Sequence, residues 1–132
     1  MTLKILYVDD EPDLREIAVM SLEMDPGFDV RECGSGCEAL AEAASWQPDL
    51  ILLDVMMPGL DGPETSEKLR ADSCTAHIPF AFITAKAQPA DIEALLEKGA
   101  LAVISKPFDP TTLAQQARRL LRKWLRLAPC AG

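Results

Sequence analysis

Carboxylates are crowded where the first apolar run of the sequence ends. Residues 7 to 14 read YVDDEPDL, so Asp9, Asp10 and Glu11 directly follow an apolar segment. Adjacent carboxylates repel one another, and a bound cation relieves that repulsion. Carboxylate oxygens together with retained waters are the ligands that Mg²⁺ prefers, and such sites usually serve phosphate chemistry. We therefore expect a divalent cation at the end of this segment.

Groups suited to phosphoryl chemistry follow three other apolar runs. Asp54 ends LILLD, Thr84 follows IPFAFI, and Lys106 follows ALAVIS. An aspartate beside a metal can act as a nucleophile and form an acyl phosphate. A lysine ammonium and a threonine hydroxyl can bind phosphoryl oxygens. Asp54 is the natural candidate for the nucleophile, because it ends its run without a neighbouring acid and a predicted tight turn follows it.

The segments that would position these groups alternate between strand and helix patterns. Short apolar runs at 3–8, 28–33, 50–54, 78–83 and 100–105 predict strands, and the runs at 50–54 and 100–105 are apolar enough to be buried on both faces. Segments with helical spacing lie between them. Their start and stop signals are Pro12, Ser35 with Glu38, Asp61 with Glu64, Gly99, and Asp109-Pro110.

This alternation predicts an α/β fold, a doubly wound five-stranded parallel sheet flanked by five helices. In such sheets, ligands bind outside the carboxyl ends of the strands. The groups expected at that one rim are Asp9, Asp10, Asp54, Thr84 and Lys106.

Composition limits the other classes of protein. The 132 residues are 48% hydrophobic, and no apolar run is long enough to predict a membrane-spanning helix or a secretory segment, so we expect a cytoplasmic protein with no membrane insertion. The net charge is −8, but residues 110–132 carry +5, which leaves −13 on residues 1–109 and argues against nucleic-acid binding outside the tail. No paired cysteine spacing predicts zinc or a disulfide framework among Cys33, Cys37, Cys74 and Cys130.

Four motifs, ILYVDDEP, DLILLDVMMPGLDG, FAFITAK and VISKPF, in this order resemble the receiver domain of two-component response regulators. The resemblance covers about residues 3–127, so we expect residues 1–132 to form a single receiver domain with a short tail at 128–132. It implies that Asp54 accepts a phosphoryl group from a sensor histidine kinase or a phosphotransfer protein. It also implies Mg²⁺ bound by Asp54, directly by Asp10, mainly through water by Asp9, and by the backbone carbonyl of Met56.

The resemblance further implies that Thr84 and Lys106 contact the phosphoryl group and that the Lys106-Pro107 bond is cis. The implied output is a stand-alone switch that binds a downstream protein partner through its fourth helix, fifth strand and fifth helix. One position departs from the family pattern: Val103 stands where receivers usually carry Tyr or Phe. The basic last helix is interpreted as an amphipathic helix with a cationic solvent face that does not bind nucleic acid by itself. Its leucines at 121, 125 and 127 present more apolar surface than one sheet can cover, so a homodimer is an alternative.

Two other classes of function share part of this residue pattern. A Mg²⁺-dependent phosphohydrolase could use Asp54 as its nucleophile, but Met56 stands where such enzymes carry an acid-base residue. A phosphorylation-independent interaction module would be expected to lack one of the site residues, and none is missing. We therefore expect a phosphoacceptor regulator that catalyses only its own phosphorylation and slow dephosphorylation.

Overall fold

Strands and helices alternate along the chain in the computed structural model, which describes residues 2–127. The predicted tail at 128–132, with Cys130, lies outside the described residues. The strands are β1 (Leu3–Val8), β2 (Phe28–Cys33), β3 (Leu50–Asp54), β4 (Phe80–Thr84) and β5 (Val103–Ser105). The helices are α1 (Pro12–Leu22), α2 (Gly36–Trp46), α3 (Gly62–Ala71), α4 (Pro89–Glu97) and α5 (Leu113–Leu127).

The five strands form one parallel sheet in the order β2-β1-β3-β4-β5, which confirms the predicted fold. The central strand β3 is buried along its whole length, as its continuous apolar run predicts. Residues of α1 and α5 pack on one face of the sheet, and residues of α2, α3 and α4 pack on the other. This order places β1, β3 and β4 side by side, so their carboxyl ends meet at one rim.

The predicted burial of the run at 100–105 is wrong. Only Val103–Ser105 forms a regular strand, and it lies at the edge of the sheet. Residues 101–103 are half-buried. The Leu101 N–H still donates to the Phe80 carbonyl at 2.8 Å, so pairing begins before the regular strand. An edge strand has a neighbour on one side only, which explains why an apolar sequence does not reach full burial here.

Most helix boundaries agree with the sequence signals. Pro12 stands in the first turn of α1. Asp61 and Glu64 form a reciprocal capping box at the start of α3. Gly99 follows α4 with a φ of +97°, which favours glycine. The box predicted at Ser35 is half formed, because Ser35 Oγ accepts from the Glu38 N–H whereas the Glu38 carboxylate accepts from the Gly34 N–H.

The predicted start of α5 at Asp109-Pro110 is wrong by three residues. The helix begins at Leu113, after a turn over residues 110–112. Asp109 Oδ1 accepts from both the N–H and the hydroxyl of Thr111, at 2.9 and 2.6 Å. The aspartate therefore stabilises a turn rather than capping the helix.

Helix α5 has one buried stripe and one basic face. Leu113, Ala117 and Leu121 are buried against the sheet, as predicted, whereas Leu125 is 68% exposed. Its exposed cationic residues are Arg119, Arg122, Lys123 and Arg126. Among residues 2–127, no helix has the length and apolar character that crossing a bilayer requires.

Candidate functional site

Two neighbouring strands deliver the acidic residues to one place. Asp9 follows β1 and Asp54 ends β3, and the two strands pair in parallel up to Val8 opposite Leu53. One carboxylate oxygen from each of Asp9, Asp10 and Asp54 lies within 4.8 Å of the other two. Asp9 and Asp54 are buried, and Asp10 is half-buried, so the cluster opens to solvent on the side of Asp10.

Lys106, which follows the edge strand β5, reaches across β4 to the two buried acids. Its Nζ lies 3.1 Å from Asp54 Oδ1 and 3.2 Å from Asp9 Oδ2. Burial lowers the pKa of this ammonium, but the charges of Asp54 and Asp9 and the hydrogen bonds to them outweigh burial and raise the pKa above its usual value. Lys106 is therefore charged at neutral pH. The Lys106-Pro107 peptide bond is cis.

The surroundings of Asp54 disfavour the ionised form of its carboxyl group. Its burial, followed by the negative charge of Asp9, raises the pKa of the Asp54 carboxyl to about 6, although Lys106 and the backbone N–H of Met56 favour the charged form. A cation placed among the three carboxylates would remove the repulsion from Asp9. The repulsion between Asp54 and Asp9 therefore has a free energy cost that a bound cation would relieve.

The start of α3 packs against the backbone that follows Asp54 and holds it in place. The Gly62 N–H donates to the Val55 carbonyl at 3.0 Å. A Cβ added at Gly62 would clash with the Asp54 carbonyl oxygen and would lie 2.8 Å from Val55 Cα. Only a glycine lets the helix approach this closely, so α3 supports the turn that presents Asp54.

Thr84 ends β4 beside this cluster but makes a different contact. Its side chain is buried, and its Oγ1 accepts from the Lys86 N–H at 3.0 Å. Thr84 also lines a cavity of about 170 Å³ whose other walls are Val55, Met56, Lys86, Asp91, Ala94 and Leu95. The structure thus brings Asp9, Asp10, Asp54 and Lys106 together and leaves the threonine hydroxyl bonded to the following loop.

Met56 contributes its backbone to the site and not its side chain. Its N–H favours the charged form of Asp54, whereas its side chain is 64% exposed. The role expected of its carbonyl as a metal ligand stays a prediction.

Sequence reasoning missed the residues that orient Asp9. The Tyr7 hydroxyl donates to Asp9 Oδ2 at 3.1 Å, the Glu11 N–H donates to Oδ1 at 3.0 Å, and Arg15 Nη1 donates to the Asp9 carbonyl at 2.8 Å. Burial, and then the charge of Asp9 and the hydrogen bond to it, raise the pKa of Tyr7 well above its usual value. The two-residue spacing of Tyr7 and Asp9 was the signal available in the sequence, because residues i and i+2 of a strand share one face.

The donor set fits Mg²⁺. Three carboxylates converge on one point, all the donors are hard oxygen atoms, and the open side next to Asp10 leaves room for retained waters and a phosphoryl group. Sulfur and imidazole ligands, which would favour zinc, are not part of the cluster.

Comparison with known protein families gives a match to the response regulator receiver domain over residues 5–118. The match covers β1 from Ile5 onward, the other four strands in full, and the first six residues of α5. This chain belongs to the response regulator receiver domain family. The acidic cluster is accordingly consistent with the phosphoacceptor site of a two-component receiver domain, and members of the family are typically phosphoacceptors rather than enzymes.

Among curated proteins, the chain is 40% identical over 123 residues to the DNA-binding response regulator MtrA of Mycolicibacterium smegmatis, covering 93% of this chain and 52% of that protein. It is 38% identical over 128 residues to the DNA-binding dual master transcriptional regulator RpaA of Synechocystis, covering 97% of this chain and 53% of that protein. The chain thus spans about half the length of these relatives.

Solved structures of similar proteins cover the fold almost completely. The chemotaxis response regulator CheY4 of Vibrio cholerae is 32% identical, with a TM-score of 0.83 over 91% of this chain and 99% of that one. The receiver domain of the Francisella response regulator 1452 is 25% identical, with a TM-score of 0.83 over 92% of this chain and 98% of that one. Receiver domains partner with histidine kinases.

Proposed function

We propose that Asp54 accepts a phosphoryl group from a phosphohistidine of a sensor histidine kinase or a phosphotransfer protein. One observation carries this proposal: Asp54 ends the central strand, and its carboxylate lies both within the acidic cluster and 3.1 Å from the ammonium of Lys106. A phosphoryl group on Asp54 would therefore lie between a cation site and a fixed positive charge.

The reaction requires little from the protein beyond positioning and charge neutralisation. An Asp54 carboxylate oxygen forms a bond to phosphorus as the phosphorus–nitrogen bond of the phosphohistidine breaks. The bonding electron pair stays on the imidazole nitrogen, which takes up a proton, and the product is an acyl phosphate. Bound Mg²⁺, held by Asp9, Asp10, Asp54 and the Met56 carbonyl, would neutralise phosphoryl oxygens during transfer.

The remaining site residues stabilise the product in this proposal. Lys106 is charged at neutral pH and pairs with a phosphoryl oxygen, as its position beside Asp54 Oδ1 allows. Thr84 exchanges its contact with the Lys86 N–H for one to the phosphoryl group. The chemistry differs from that of a phosphohydrolase because the residue two positions after Asp54 is Met56, which cannot act as a general acid.

We also propose where the chain acts and what it binds. Residues 1–132 act as one receiver domain in the cytoplasm, where reducing conditions suit the free thiols of Cys33, Cys37 and Cys74. A downstream protein partner binds the surface formed by α4, β5 and α5, and a homodimer through the leucines of the last helix is the alternative assembly. Neither nucleic acid nor the membrane is a partner of these residues.

Intact mass spectrometry after incubation with Mg²⁺ and acetyl phosphate tests the proposal. Wild type should gain one phosphoryl group, and Asp54→Asn should gain none. Asp29→Asn, which alters an exposed acid on β2, should behave as wild type. EDTA should abolish the gain. A full phosphoryl adduct on Asp54→Asn would place the acceptor elsewhere.

A further inference from the structure

The hydroxyl of Tyr7 is a polar group at the top of an apolar core, and phosphoryl transfer as proposed above gives it no role. Tyr7 is fully buried, and its ring belongs to the core cluster that includes Ile5 and Ile83. The hydroxyl donates to Asp9 Oδ2 at 3.1 Å and makes no other hydrogen bond within residues 2–127. The Tyr7 side chain thus extends from the apolar core to Asp9, one acid of the cluster.

The oxygen that Tyr7 contacts has a second donor. Lys106 Nζ lies 3.2 Å from the same Asp9 Oδ2, while Asp9 Oδ1 accepts from the Glu11 N–H at 3.0 Å. The two donors on Oδ2 differ in their freedom. Lys106 also contacts Asp54 and has a flexible side chain, whereas the ring of Tyr7 is packed in the core.

We propose that Tyr7 is a positioning residue that keeps the Asp9 carboxylate oriented when Lys106 leaves it. The inference rests on the proposed function. A cation entering the cluster repels the Lys106 ammonium, and a phosphoryl group on Asp54 attracts it. Asp9 is fully buried, and a buried carboxylate oxygen left without a donor, as Oδ2 would be, is destabilising. The Tyr7 hydroxyl remains as the donor to Oδ2 in both states and holds Asp9 where it faces the cation.

The chain offers a direct probe of this contact, because Tyr7 is its single tyrosine. Labelling with tyrosine that carries ¹³C at Cζ gives one resonance that reports the hydrogen bond of the hydroxyl. In wild type, Mg²⁺ should shift this resonance with the same midpoint as the backbone amide signal of Asp10, and adding beryllofluoride should shift it again. In Asp9→Ala, which removes the acceptor, Mg²⁺ should leave the resonance in place.

A double-mutant cycle tests whether Tyr7 acts through Asp9. Without the hydroxyl, Asp9 forms a tighter pair with Lys106, which the cation must then break. Tyr7→Phe should therefore raise the Mg²⁺ Kd about fivefold in the wild-type background, and by less than about twofold in Asp9→Ala. Thr75→Val is the matched control, because it removes a buried hydroxyl that donates to the Leu69 carbonyl at 2.6 Å, away from the acids. It should leave the Kd unchanged.

The outcomes separate this inference from the proposed function. A wild-type protein that shows no saturable Mg²⁺ binding overturns both. Saturable binding with a stationary Tyr7 resonance, or an equal effect of Tyr7→Phe in the two backgrounds, overturns the positioning role alone. The labelled wild type decides the question even where Tyr7→Phe reduces stability.

Discussion

Asp54→Asn is expected to stabilise the metal-free protein at neutral pH, although it removes the proposed acceptor. The Asp54 side chain is 4% exposed and lies beside the negative charge of Asp9. Burial and that charge disfavour its ionised form more than Lys106 favours it, so its pKa is raised from 3.8 to about 6. Asparagine has nearly the same shape and carries no charge, which removes this cost.

The sign and size follow from proton linkage. A carboxyl with a raised pKa binds its proton more tightly in the folded state, so its contribution to stability is complete below pH 3.8 and is lost as the pH rises through about 6. At about 1.4 kcal/mol per pKa unit, the difference amounts to about 3 kcal/mol above pH 6. Solvent on the side of Asp10 screens part of it, and we expect about 2 kcal/mol.

Urea denaturation in EDTA at pH 4, 5, 6 and 7.5 measures this effect. The free energy of unfolding of Asp54→Asn minus that of wild type should rise from near zero at pH 4 to about 2 kcal/mol at pH 7.5, with equal m-values. Saturating Mg²⁺ should shrink the difference, because the cation stabilises the wild type more. Asp29→Asn should show no such rise. A variant that is less stable than wild type at pH 7.5, or a difference independent of pH, would refute the electrostatic explanation.

The remaining predictions concern the metal, a helix cap and the phosphorylated state. Asp10→Asn should raise the melting temperature without metal and blunt its rise with Mg²⁺, because carboxylate oxygens within 4.8 Å of one another repel by at least about 3.5 kcal/mol at an effective dielectric of 20; an equal Mg²⁺-induced rise in both proteins would remove Asp10 from the ligands. Asp61→Ala should lower the free energy of unfolding in urea by about 1 kcal/mol, since it removes the capping box of α3; an unchanged midpoint would mean that the box contributes nothing. Beryllofluoride with Mg²⁺ should shift the backbone amide signals of residues 85–92 far more than those of residues 102–104, and the reverse order would contradict transmission through the loop after Thr84.

Sequence patterns predicted the sheet and most helix starts because these depend on local chemistry. The apolar run at 50–54 identifies a strand buried on both faces, and Asp61 with Glu64 specifies a cap wherever the helix lies. The start of α5 was not predictable in the same way. Asp109-Pro110 suits either a helix start or a turn, and the hydrogen bonds of Asp109 to Thr111, which select the turn, depend on the three-dimensional backbone.

The location of the acidic cluster was predictable because parallel strands align their carboxyl ends. The contacts that each group of the site makes were not predictable. The Lys106 contacts to both buried acids depend on side-chain reach across the sheet, and the Thr84 bond to the Lys86 N–H depends on the loop conformation. From its place in a mostly apolar strand, Tyr7 is expected to be an ordinary core residue. The hydrogen bond of its hydroxyl to Asp9, two positions further along the chain, becomes visible only in the structure.

The position of Val103 bears on how phosphorylation would reach a partner. Val103 lies half-buried at the start of β5 and packs against the core cluster on the α4 side of the sheet. It has no ring to swing, so a displacement of Thr84 would be transmitted through that residue's own contacts. These are the Lys86 N–H and the cavity that Thr84 shares with α4. If the Thr84 hydroxyl turns to the phosphoryl group, Lys86 loses its acceptor and the loop before Pro89 must find a new arrangement. Because α4 begins at Pro89, this helix is the element whose position that rearrangement would change first.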